Sequence, residues 1–232
     1  MKWRLVAFDF DGVLADSYTC LPDVYRKLAE HIGLKGDLRE EFVKRAIMFE
    51  DKRDAIGDYD RIGWWPELLD GFGISYDERM LEELLSIYWE TRIKLTKIMD
   101  GAVELLNLLK RKNAILTIVA GHDGKRSIKR KRIRESGLAG FFDDIIITGE
   151  DMRNKVEALA FLIEKYRVKR EETMFIDDKP ALINNVNRAL SGVTTVKMEF
   201  RSVLSTSWSQ KCSPTFRISS LRDLIRIIER GE

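Results

Sequence analysis

The chain of 232 residues has two cysteines, Cys20 and Cys212, and two histidines, His31 and His122. Two cysteines make no disulfide framework. Two histidines, 91 residues apart, make a histidine-rich zinc site a poor expectation. No apolar run reaches the ~18 residues of a membrane span. Forty basic residues against 38 acidic ones leave a formal charge of +2, without the strong overall basicity of a typical nucleic-acid binder. No secretory leader pattern precedes the first apolar run. A protein of the cytoplasm, acting on small molecules rather than on membranes or nucleic acid, is expected. Gln210 is the sole glutamine, while 34% of residues are charged. Few labile amides and abundant Lys, Arg and Glu resemble the composition of thermophile proteins.

What the chain does contain is alternation. "LVAFDF" (5–10) is a short apolar run that suits a buried strand, and "AILTIVAG", "DDIIITG", "TMFIDDKP" and "VTTVKM" repeat the pattern. Helical spacings separate them, at Ala102, Leu105, Leu106 and Leu109, in "VEALAFLIEKY", in "ALINNVNRAL" and in "SSLRDLIRIIE". Strands alternating with helices imply an α/β fold, a Rossmann-like parallel sheet flanked by helices. Residues 17–97 break the rhythm. Leu21, Val24, Tyr25, Leu28, Ala29 and Ile32 step by three and four, as do Leu81, Leu84, Leu85 and Tyr88. The glycine-bearing stretch between, "DYDRIGWWPELLDGFGIS", reads as loops and short helices. The expected organisation is a core of 1–16 and 98–232 with an all-helical cap, 17–97, inserted after the first strand. "RSVLSTSWSQKCSP" (201–214) reads as a surface loop, with Trp208 a candidate interface residue.

Ligands of an open α/β sheet bind outside the carboxyl ends of its strands. The first strand ends in Asp9 and Asp11, and a later one in Asp177 and Asp178. Like charges so close raise each other's pKa. Four carboxylates converging on one spot suit Mg²⁺, a hard cation that takes oxygen ligands. The middle strand offers Ala120, Gly121 and His122. "GHDGKRS" is no P-loop, because Gly121 and Gly124 enclose two residues where four are needed. "KRSIKRKRIR" packs seven cations into ten residues and reads as a solvated helix face with Ile128 and Ile133 turned inward.

"DFDGVLADS", Lys155 and "FIDDKP" together resemble the signatures of the haloacid dehalogenase superfamily. The inserted helices resemble the cap of its phosphoglycolate-phosphatase-like members. The resemblance implies that Asp9 is a nucleophile forming an aspartyl-phosphate. It implies that Asp11 is the general acid and base, for which a raised pKa is useful. Lys155 offsets negative charge, with Lys179 and Lys125 as alternatives. Asp9, Asp11, Asp177 and Asp178 hold Mg²⁺, Asp178 directly. Gly12 lets the backbone curl toward the phosphate. Asp11 favours phosphoryl transfer over dehalogenation, since an alkoxide needs a proton on leaving and a halide does not. The family's hydroxyl after the second strand is replaced by Ala120, so Gly121 and His122 are left as donors. A lost donor of this kind costs ~10²–10³ in rate. In the cap, Arg61 and Trp64 are candidates to line a substrate pocket. The implied activity is hydrolysis of a small phosphorylated metabolite by a monomer or homodimer. A sugar phosphomutase and a weakly catalytic metal-binding regulatory module are the alternatives.

Overall fold

The computed structural model describes residues 2–200 and 202–230. Six parallel strands form the main sheet: β1 (Leu5–Phe8), β4 (Ile115–Gly121), β5 (Asp144–Thr148), β6 (Thr173–Asp177), β7 (Thr194–Met198) and β8 (Phe216–Ile218), in the order β5-β4-β1-β6-β7-β8. β1 lies at the centre, with Leu5 opposite both Ile115 and Thr173 and Phe8 opposite both Ile118 and Ile176. All four of its residues are fully buried, as both faces of the sheet are covered. β8 is three residues long and interrupted by the charge of Arg217, so no apolar run announced it.

One face carries α5 (Ala102–Arg111), α6 (Ile128–Glu135) and α9 (Leu221–Arg230), whose Leu105, Leu109, Ile133 and Leu224 join Val6, Phe8 and Leu116 in one core. On the other face α7 (Lys155–Lys165) and α8 (Pro180–Ala189) bury Leu159, Leu162, Ile183 and Val186 against Leu5, Ala7 and Phe175. Asn154 caps α7 by accepting from the Glu157 N–H at 3.0 Å, which fixes where Lys155 begins the helix.

After β1 the chain turns through Gly12 into β2 (Ala15–Asp16), which pairs antiparallel with β3 (Lys97–Ile98). Four helices lie between: α1 (Leu21–His31), α2 (Gly36–Ala55), α3 (Arg61–Asp70) and α4 (Glu78–Leu95). They bury a core of their own around Tyr25, Leu28, Phe42, Trp65, Leu69 and Tyr88. The glycine-bearing stretch expected as loops and short pieces contains the ten-residue α3, with Pro66 inside it. α3 holds because Trp64, Trp65, Leu68 and Leu69 all find apolar cover. No helix among the described residues is long and apolar enough to cross a membrane.

Candidate active site

The site is built at the carboxyl end of β1, where Asp9 leaves the strand. Its N–H still bonds the Ile176 carbonyl at 2.9 Å, holding the end of β1 against the end of β6. Asp9 therefore stands beside Asp177 and Asp178. The three carboxylates offer ligand oxygens all within 4.8 Å of one another. Asp177 and Asp178 are completely buried. Lys155 lies across the group, with Nζ 2.9 Å from Asp9 Oδ1 and 2.8 Å from Asp177 Oδ2. Gly12 has φ +75°, and a Cβ there would collide with the Asp178 carboxylate. Only glycine serves at that point, for space as well as for backbone geometry.

Burial pushes the Asp9 carboxyl up to about 6; Lys155 opposes the shift, while Asp177 and Asp11 add to it. Burial, then Asp177 and Asp9, also pushes Asp178 well above the usual carboxylate range. Asp178 Oδ1 is buried and has no hydrogen-bond partner. A buried carboxylate oxygen without a partner costs free energy, and a divalent cation is what three converging oxygen donors fit. Asp9, Asp177 and Asp178 are thus suited to hold Mg²⁺.

A carboxyl whose folded pKa is raised stabilises the fold below its unfolded value near 4, and loses that contribution as pH climbs through about 6. Metal binding requires the deprotonated form. The rise in melting temperature on adding Mg²⁺ to metal-stripped protein is therefore expected to be larger at pH 8 than at pH 5. Thermal denaturation at the two pH values, with chelator and with Mg²⁺, measures it.

Asp11 lies apart from the three-carboxylate group. Its Oδ1 accepts from Ser17 and Arg132, and its Oδ2 from Lys129 and from Arg132 Nη1 at 3.2 Å. Arg132 and Lys129 also hold Asp123, at 3.0 and 2.9 Å. Burial alone would raise the Asp11 pKa, but Arg132, Lys129 and Arg92 outweigh it and hold it well below the usual range. A raised pKa, useful to a general acid, is not what these cations give Asp11. Its carboxylate, expected among the metal ligands, is turned toward Ser17 and toward Lys129 and Arg132 of α6.

A cavity lies over Asp9 between core and cap, lined by Asp11, Gly121, His122, Asp123 and Lys155 from the core and by Glu50, Asp54, Tyr59, Arg61 and Arg92 from the cap, with Tyr18, Lys129 and Lys179 at its sides. Of the expected substrate residues, Gly121, His122 and Arg61 line it. His122 is fixed by its N–H to the Thr148 carbonyl at 3.0 Å and by the Gly124 N–H to its Nδ1 at 3.2 Å. Ala120 is buried in β4 opposite Ile147, away from the cavity. Trp64 is also displaced from its expected role. It is 2% exposed, stacked on Phe49 at 5.7 Å and edge-on to Trp65 within the cap core, because an indole on that face of α3 is better covered by other rings than by a polar cavity. Lys179 is paired with Asp54 of the cap at 2.8 Å, and Lys125 is exposed.

Sequence reasoning did not find Lys129, Arg132, Arg92 or Glu50. All four are buried charges. Glu50 accepts from Tyr25 Oη at 2.6 Å, Tyr88 Oη at 2.8 Å, Arg61 at 2.7 Å and Arg92 at 3.2 Å. Arg92 in turn donates through Nε to the Ser17 carbonyl at 3.1 Å. A signal for Glu50 and Arg92 existed. Glu50 continues the stripe Val43, Ala46 along α2, and Arg92 the stripe Leu81, Leu85, Tyr88 along α4. A charge at an apolar register is a candidate for a buried pair.

Comparison with known proteins agrees with the geometry. The model of the haloacid dehalogenase-like hydrolase family matches residues 3–181. A phosphorylated carbohydrates phosphatase of Thermotoga maritima is 25% identical over 181 residues, covering 75% of each chain. A Bacillus subtilis hydrolase of the same superfamily, solved with bound magnesium, superposes with a TM-score of 0.70 at 23% identity, covering 99% of this chain and 100% of that one. A Thermotoga maritima structure named for β-phosphoglucomutase gives 0.73 at 18% identity, covering 99% of this chain and 100% of that one.

Proposed function

The chain belongs to the haloacid dehalogenase-like hydrolases, and from that premise we propose that it is a Mg²⁺-dependent phosphatase acting through phospho-Asp9 on a phosphate monoester with an uncharged, hydroxyl-bearing body. The observation that carries the mechanism is the seat of Asp9, beside two further buried carboxylates and bridged by Lys155. Mg²⁺ held by Asp9, Asp177 and Asp178 would offset the repulsion between the nucleophile and a phosphate dianion. An Asp9 oxygen attacks phosphorus and the bond to the ester oxygen breaks. The leaving alkoxide needs a proton, and Lys129, which lines the cavity and is bound to Asp11, carries one at its wall. In the second half a water attacks the phosphorus of phospho-Asp9, the bond from phosphorus to the Asp9 oxygen breaks and phosphate is released, while a proton of that water goes to the Asp11–Lys129 pair. Held ionised by its cations, Asp11 carries no proton of its own for the leaving group, which leaves that part to Lys129.

The charge pattern of the cavity supports the substrate class. Its lining has five basic groups and five acidic ones. The cations on the cap side of the cavity are already ion-paired: Arg61 and Arg92 with Glu50, and Lys179 of the core with Asp54. A second anionic group on the substrate would displace one of these buried pairs, leaving a carboxylate uncompensated. Hydroxyls instead meet Tyr59, His122 and the free edges of carboxylates. The relative named for phosphorylated carbohydrates is consistent with this reading.

The test is phosphate release from a panel of sugar and polyol phosphates and of phosphorylated carboxylic acids, with Mg²⁺ and with chelator. We expect chelator to abolish release, and kcat/KM for the neutral-bodied substrates to exceed that for the acids at least ~10-fold, a floor below the full ~3–5 kcal/mol of a broken buried pair. A preference for the acids would overturn the substrate class. Isomerised sugar phosphate with no free phosphate would mark a phosphomutase instead.

A further inference from the structure

The segment between β7 and β8, which reads in sequence as a surface loop, reaches the metal-holding carboxylates. Trp208 donates through Nε1 to Asp178 Oδ2 at 2.9 Å. Its ring lies edge-on to Tyr18 at 5.3 Å, and the Lys179 ammonium sits 5.3 Å from its centroid. Three residues earlier the same segment grips the cap. The N–H groups of Ser205 and Thr206 both donate to Asp51 Oδ1 at 3.0 Å, and Thr206 Oγ1 donates to Asp51 Oδ2 at 2.9 Å. Ser207 Oγ donates to Asp54 Oδ2 at 2.7 Å, the carboxylate that pairs with Lys179. Asp51 and Asp54 both lie on α2 of the cap.

We propose that Trp208 is a positioning residue for Asp178, and that the strap 202–209 ties the seat of the metal to the closed position of the cap. With Oδ2 engaged by the indole N–H, the carboxylate is turned so that its partnerless Oδ1 is the oxygen left for a cation. Partners of this kind orient metal ligands, and their loss costs metal affinity. Trp208 can hold that orientation only while the strap is seated. The strap is seated by two carboxylates of the cap rather than by the core alone. Cap closure and metal affinity are therefore linked, and by reciprocity each favours the other.

This inference rests on the metal reading given above, so the experiment measures binding without turnover. Mg²⁺ is titrated into metal-stripped protein by calorimetry, and the change in tryptophan emission is followed in parallel. Trp208→Phe keeps the ring against Tyr18 and removes the N–H. Its Mg²⁺ Kd is expected to rise ~10–100-fold, and the metal-dependent part of the emission change to disappear. Asp51→Ala touches no metal-holding residue and removes the strap's hydrogen bonds from Ser205 and Thr206 to the cap, leaving the one from Ser207 to Asp54. Its Kd is expected to rise ~3–10-fold, with the emission change retained, a coupling of the usual allosteric size. An unchanged Kd in Trp208→Phe would overturn the positioning role. An unchanged Kd in Asp51→Ala would overturn the link to the cap. Absence of Mg²⁺ binding in the unsubstituted protein would overturn the metal reading beneath both.

Discussion

Asp9→Asn is expected to end phosphate release while leaving a folded and more heat-resistant protein. The amide is close to isosteric but cannot act as the attacking oxyanion, and loss of a covalent nucleophile costs on the order of 10⁵-fold or more in kcat. The stability gain has a separate source. Burial holds the Asp9 carboxyl up at about 6, so at pH 8 the metal-free protein keeps an ionised group where the proton is favoured. Each pKa unit corresponds to about 1.36 kcal/mol. The shift from 3.8 to about 6 therefore corresponds to about 2–3 kcal/mol. In a chain of this size that is about 4–12 °C in melting temperature. Lys155 keeps Asp177 as a partner at 2.8 Å, so the substitution leaves no buried ammonium unpaired. Single-turnover assays and thermal denaturation in chelator at pH 8 read the two effects independently. Residual turnover near the unsubstituted level would place the nucleophile elsewhere. A lower melting temperature would show that Asp9 stabilises the metal-free fold rather than straining it.

That trade between function and stability marks which parts of this protein were legible in sequence. Asp9, Asp11, Asp177 and Asp178 stood out because each pair is local in the chain and each follows an apolar strand, where charge needs a reason. The α/β core was readable because Leu5–Phe8, Ile115–Gly121 and Thr173–Asp177 are too short and too apolar for anything but buried strands. Lys129 and Arg132 were not readable. They sit among seven cations in ten residues, and nothing in that run distinguishes the two that turn inward from the five that do not. What selects them is the placement of α6 over the end of β1, which brings both to Asp11 and Asp123. Trp208 was hidden for a different reason. A polar segment without periodicity gives no register, and its contact with Asp178 spans thirty residues of sequence.

The cap shows the same limit from the energetic side, and Glu50→Ala is expected to be the most damaging single substitution in it. Glu50 is 4% exposed and serves four donors: the hydroxyls of Tyr25 and Tyr88 and the guanidiniums of Arg61 and Arg92. Burial opposes its charge, but Arg61 and Arg92 outweigh burial and hold its pKa down at about 2. Removing it leaves two buried guanidiniums facing each other and two hydroxyls without an acceptor. Breaking a buried pair in this way costs about 3–5 kcal/mol, or about 6–20 °C at this chain length. Stacking of Arg61 on Tyr88 and Trp89, at 4.4 and 4.8 Å, recovers a fraction. Replacing all three ionic groups together, as Glu50→Leu with Arg61→Met and Arg92→Met, removes the charges along with their partner. That variant is expected to regain most of the lost stability, since apolar substitutes for a buried ionic cluster are often neutral or better. It should nevertheless bind substrate poorly, because Arg61 and Arg92 line the cavity and Arg61 reaches the core at the Asp123 carbonyl. Thermal denaturation separates the two variants, and KM in the triple variant separates folding from substrate binding. If the triple variant bound substrate like the unsubstituted protein, the buried arginines would be cap structure alone, and the boundary of the site would have to be drawn at Lys129 and Lys155.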